Sequence, residues 1–188
     1  MSKKLLIIIA IIIVLGGAIF FIASNKKTPQ QTPGGAENEI PGQEKTFNIA
    51  PSDNAENSIY TDSQYKFSFE YPKDFTATKF QEGEDGDSIL VQKQGSKDGF
   101  QIFIAPFDEP GPLTKERVLE DLPDLIIKNS EQRVLKNGEP ALIFFSEEPS
   151  LGETREIWFV FNGFLYQIST YKELDSLVAK ILETWKFQ

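Results

Sequence analysis

The chain has 188 residues, 40% of them hydrophobic and 25% charged, a length and balance that fit one globular domain with additional segments rather than a disordered chain. Its formal charge is -9, and its lysines and arginines are scattered, so it lacks the concentrated positive surface that nucleic-acid phosphates require; no nucleic-acid partner is expected. Cysteine and histidine are both absent, which removes disulfides, thiol nucleophiles, the usual zinc ligands and imidazole acid–base chemistry.

Residues 1–4 form a short tail carrying Lys3 and Lys4, and residues 5–23 read LLIIIAIIIVLGGAIFFIA without a charge. A helix of that length rises about 28 Å, close to the hydrocarbon thickness of a bilayer. A cleaved signal peptide fits less well: Phe21 would occupy the -3 position of a cut after Ala23, and Gly16-x-Ala18 lies inside the apolar run. The segment is therefore expected to be an uncleaved transmembrane anchor. Lys26 and Lys27 nearly balance the positive charge of the other flank, but a signal-like helix ahead of a long domain is normally translocated on its C-terminal side. The expected location is the cell membrane, single-pass, with the N-terminus cytoplasmic and the domain extracytoplasmic.

Residues 24–57 are rich in Pro, Gly, Gln, Asn, Thr and Glu, and are expected to form a disordered tether. Ser24 and Lys27 formally match Ser-x-x-Lys, but at a lipid boundary the spacing reads as chance, with the lysines reaching for headgroups.

The globular domain is expected over 58–188. Tyr65, Phe67, Phe69 and Tyr71 alternate with Lys66, Ser68 and Glu70 before Pro72, the pattern of a half-buried strand. Further strands are expected at 88–93, 100–105, 133–136, 141–146, 154–161 and 164–170, with a weaker one at 76–80. Asn137-Gly138 and Asn162-Gly163 suit tight type I′ hairpins. Residues 142–145 and 157–161 are apolar at consecutive positions, so both faces of those strands should be covered. Two helices can supply cover. One spans 115–122 with Thr114 as N-cap. The other carries Leu174, Leu177, Val178, Ile181, Leu182 and Trp185 on one face, directed toward the strand around Trp158, with Lys180 and Glu183 opposite. The predicted class is α+β, an antiparallel β-sheet sandwiched by helices (α/β/α), preceded by one transmembrane helix.

Tyr65-Lys-Phe-Ser-Phe-Glu-Tyr-Pro72 resembles the opening signature of PsbP-like domains, and Ile181-Leu-Glu-Thr-Trp-Lys-Phe187 resembles their closing segment. The resemblance implies an antiparallel sheet between helices, a fold used by plant photosystem extrinsic subunits and by a nuclear-import factor that binds a small GTPase. Photosystem members are associated with calcium or manganese through sites that include His, which this chain lacks, so no metal ligands carry over and no cofactor is expected. A binding role follows by analogy.

Four residues are candidates for binding a peptide or carboxylate: Arg155 and Glu156 at the start of the most apolar strand, with Asp108 or Glu109 from another loop. Glu82, Glu84, Asp85 and Asp87 gather hard oxygen ligands in a Gly-flexible loop, but the full twelve-residue calcium loop is missing, and a solvated turn is the simpler reading. The aromatic side chains follow strand and helix spacing, and so read as core rather than as a carbohydrate platform. The expected function is a membrane-tethered extracytoplasmic binding or scaffolding module for a protein or envelope partner, not an enzyme. The alternatives are a small-ligand or ion carrier, and a carboxylate-dependent enzyme.

Overall fold

The computed structural model describes residues 50–51, 56–81, 86–109, 111–149 and 151–188. The anchor expected over 5–23, most of the tether, and residues 82–85 of the acidic loop lie outside the described residues. Among those described, no helix is long and apolar enough to cross a membrane.

Two antiparallel sheets dominate. The smaller has the order β1 (Ala50–Pro51), β2 (Asn57–Asp62), β3 (Phe67–Pro72), β11 (Lys186–Phe187). The larger has the order β4 (Phe75–Gln81), β5 (Asp87–Lys93), β6 (Gly99–Pro106), β10 (Phe164–Tyr171), β9 (Gly152–Phe161), β8 (Pro140–Glu148), β7 (Lys128–Val134). Pairing of Ala50 with Ile59 places β1 inside the segment read as tether, so the sheet claims residues that composition alone assigns to the linker.

Alternation in β3 explains why the sheets stack. Phe67, Phe69 and Tyr71 are almost wholly buried, and they meet Ile102, Phe159, Tyr166 and Ile168 of the larger sheet in one core. Period-2 geometry sends the intervening residues to the opposite face. Helix α2 (Asp175–Thr184), entered through a 3-10 turn at Lys172–Leu174, lies beside the smaller sheet on this inner face, and the Glu70 amide donates to Thr184 Oγ1 at 3.0 Å. Helix α1 (Lys115–Asp121) packs Val118 against Leu142, Phe144 and Trp158 on the outer face. Its N-cap is Thr114, whose hydroxyl accepts from the Arg117 amide at 3.2 Å.

The helices thus lie on opposite faces of the larger sheet, as expected, but most of the inner cover is a second sheet. Strand β9 also separates Trp158 from α2: Ile157 and Phe159 face inward with α2, so Trp158, one position away, faces outward with α1.

The hairpins differ for a related reason. Asn162 (φ 49°) and Gly163 (φ 79°) form the two-residue turn between paired Phe161 and Phe164. Of Asn137 and Gly138 only the glycine has a positive φ, 92°, and the Leu135 amide donates to the Glu139 carbonyl, so that loop is one residue longer than type I′. Strand β7 consequently ends at Val134 rather than extending to Lys136.

Candidate functional site

The four residues proposed from sequence do not converge. Because successive strand residues face opposite ways, Arg155 lies on the inner face and Glu156 on the outer. Arg155 Nε stands 3.0 Å from Asp175 Oδ1 in the first turn of α2, and its guanidinium lies over the Phe145 ring at 4.6 Å from the centroid. A longer contact of 3.6 Å reaches Glu131 on β7. This cation therefore joins β7, β8, β9 and α2. Glu109 instead takes a bidentate pair of 2.6 Å bonds from Arg117 Nε and Nη2, which hold its carboxyl below the usual range, and Asp108 is exposed. Sequence position places 155 and 156 together; the pleat separates them.

Glu156 is nevertheless unusual. It is 5% exposed, and its Oε2 accepts from Ser169 Oγ at 2.5 Å across the β9–β10 ladder and from Trp158 Nε1 at 3.1 Å along its own strand. Burial pushes its carboxyl up to about 7, against the opposing pull of the Ser169, Thr154 and Trp158 donors, and Glu148 adds to the upward shift. Ser146 Oγ and Gln167 Nε2 are buried on the same face without a hydrogen-bond partner. The group can therefore carry a proton near neutrality, in surroundings that hold it within the sheet.

That shift sets a pH dependence. The folded carboxyl binds its proton more tightly than an unfolded one, whose ordinary value is 4.5. Between about pH 4.5 and 7 the unfolded chain releases the proton first, so stability should fall by about 3 kcal/mol as pH rises through this window and level off above it. Glu156→Gln should remove this component, leaving the variant more stable than the parent at pH 8. Urea midpoints measured from pH 4.5 to 8 test it; parallel profiles for parent and variant would refute the assignment.

A third cluster went unread in the sequence. Lys79 Nζ lies 2.9 Å from Asp62 Oδ2 and 2.9 Å from Asp87 Oδ2, donates to Gln64 Oε1 at 3.2 Å, and sits 4.7 Å from the centre of the Tyr65 ring. All three charged side chains are at most 6% exposed. Asp62 Oδ1 accepts from the amides of Gln64 and Tyr65, and the Tyr60 hydroxyl donates to Oδ2 at 3.1 Å. Burial, then Asp62 for Tyr60 and Asp87 for Tyr65, push both phenols above their ordinary range. Lys79 and Asp87 belong to the larger sheet and Asp62 to the smaller, so the cluster joins the two.

Asp87 is the last acidic residue of the loop weighed for calcium, and it turns inward to Lys79. Gly86 makes that turn possible, with φ 140° and so little space that a Cβ would strike the Ile104 carbonyl. Among the described residues no three acidic, His or Cys side chains are grouped to hold a metal ion.

No family model matches the chain, and no curated protein matches it. Among solved structures it is similar to the solution structure of cyanobacterial PsbP (CyanoP) from Synechocystis sp. PCC 6803, at 13% identity and a TM-score of 0.50, over 76% of this chain and 98% of that one. At that identity the likeness speaks to architecture, and it shows that the chain has a PsbP-like fold.

Proposed function

We propose that this chain is a binding or scaffolding module, held at the membrane by residues 5–23 and displayed on the extracytoplasmic side for a protein or envelope partner. The observation that carries the reading is the uncharged apolar run of the sequence, long enough to span a bilayer, followed by a Pro- and Gly-rich stretch ahead of the folded domain. The ionisable groups of the domain support it: Lys79, Arg117 and Arg155 are all engaged in ion pairs that join elements of the fold. Glu156 has the proton affinity a general acid would want, but its donors fix it inside a sheet, where its protonation state bears on stability.

Topology is the direct test. Protease added to intact spheroplasts should digest the domain without lysis and leave a membrane-embedded stub containing residues 5–23. Complete protection until the membrane is broken would place the domain on the cytoplasmic side and overturn the reading.

A further inference from the structure

On the inner face of the larger sheet, two grooves adjoin where Lys136 and Glu183 line both. One, of about 220 Å³, lies between the end of β7 and α2, over Ile143, Ile157 and Leu182. The other, of about 360 Å³, runs along β11 beside Phe161 and Trp185. Val134 also borders the first, but it pairs with Pro140 and stands between Arg133, opposite buried Ala141, and Leu135 of the inner core, so its side chain, 68% exposed, turns to the outer face.

The backbone at the second groove has an open side. Lys186 pairs with Ser68, and the Gln188 amide donates to the Lys66 carbonyl at 2.8 Å, so both residues turn their polar groups toward β3. Antiparallel alternation then turns the N–H and C=O of Phe187 away from β3, along an edge of the smaller sheet that has no strand partner among the described residues. Strand β7, one of the two edges of the larger sheet, is protected differently: it carries Lys128, Glu131 and Arg133, and its register shifts between Lys128 and Glu131. The β11 edge has no comparable bulge and only Lys186 beside it.

The charge around the grooves differs from that of the chain. Arg155 is paired with Asp175 and Arg133 with Glu131, whereas Lys136 and Lys186 are exposed and make no ion pair among the described residues. Glu183 alone opposes them within the shared lining. At physiological ionic strength exposed charges beyond about 8 Å are largely screened, so the charges lining the grooves weigh most for anything seated here: Arg133, Lys136, Arg155 and Lys186 against Asp175 and Glu183.

Resting on the binding-module reading, we propose that this double groove receives an extended acidic segment of a partner protein. The segment adds as a strand against Phe187, seats an aliphatic side chain over Leu182 in the first groove, and places carboxylates against Lys136 and Lys186. Strand addition supplies affinity through the main chain, and alternate side chains supply the selection.

The test uses the full chain in detergent micelles and two fluorescent probes of roughly ten residues, one alternating glutamate with valine and one alternating lysine with valine, followed by anisotropy at physiological salt. The glutamate peptide should bind at least about tenfold more tightly than the lysine peptide, and Lys136→Glu combined with Lys186→Glu should abolish or invert that preference. Lys180→Glu, an exposed change outside the groove lining, should leave it intact. Bound glutamate peptide should also slow amide exchange at Phe187. Equal binding of the two peptides, or binding of neither, overturns the proposal. Tight binding of the glutamate peptide that survives the double reversal overturns the groove while leaving the binding-module reading standing; that reading fails separately, through protection in the spheroplast experiment.

Discussion

Lys79→Met is expected to destabilise the domain by about 3 to 5 kcal/mol, a large share of the roughly 5 to 15 kcal/mol that holds a domain of this size together. Methionine approximates the length and apolar stem of lysine, so the change removes a charge more than a volume. Asp62 and Asp87 would then face each other's surroundings without the ammonium that stands 2.9 Å from each. Asp62 would keep the Gln64 and Tyr65 amides and the Tyr60 hydroxyl, which soften its loss. Among the described residues Asp87 has no comparable set of amides, only the Tyr65 hydroxyl beside the ammonium, and should account for most of the penalty. Adding Asp87→Asn to Lys79→Met should therefore recover more stability than adding Asp62→Asn, because neutralising the less supported carboxylate removes the more costly buried charge. Urea unfolding of a fragment beginning at residue 50, followed by circular dichroism, measures all three. If Lys79→Met unfolded at the parental urea concentration, the cluster would contribute nothing as a buried ion pair.

The cluster also shows where reading the sequence stops. Lys79 stands 17 residues from Asp62 and 8 from Asp87, and no local pattern joins them; only the stacking of two sheets does. What could be read was local. Thr114 as a cap, the positive φ at Asn162 and Gly163, and the alternation from Phe67 to Tyr71 each follow from chemistry within a few residues. Strand β7 has a weak sequence signal because an exposed edge strand with Lys128, Glu131 and Arg133 has no apolar face to give a period. Strand β2 carries no clear period because its inward positions are Tyr60 and Asp62, and a buried aspartate disguises the alternation.

The candidate site was legible in part. Consecutive apolar residues from Ile157 to Phe161 implied cover on both faces of β9, and a glutamate within such a strand has to be buried on one of them. The same pleat implied that Arg155 and Glu156 diverge, so grouping them ignored a period that the sequence displays. The pairing of Arg155 with Asp175 required knowing where α2 begins relative to β9, which is tertiary information. The edge at β11, without a strand partner among the described residues, has no signal in the sequence, since two residues of strand carry no period.

Trp185→Ala is expected to cost about 3 to 5 kcal/mol, for a reason that lies in how the two sheets close on each other. The indole is 3% exposed at the end of α2 and stacks on Phe67 with centroids 4.5 Å apart and planes 6° apart. Phe69 stacks at 5.3 Å, while Phe159 and Tyr166 of the larger sheet present their edges at 5.9 and 6.2 Å. Truncation would therefore open a cavity between three elements, β3, β9 and β10, which belong to different sheets and cannot all move inward together. Trp185→Phe should be much milder, because it retains most of the stacking surface and deletes an indole N–H that is buried without a hydrogen-bond partner. Lys180→Ala and Glu183→Ala, both exposed on the same helix, should change stability by no more than about 0.5 kcal/mol. Urea midpoints for the four variants decide the matter. A Trp185→Ala domain with the parental midpoint would mean that the indole is not part of the core, and the closing contact between the sheets would have to be sought elsewhere.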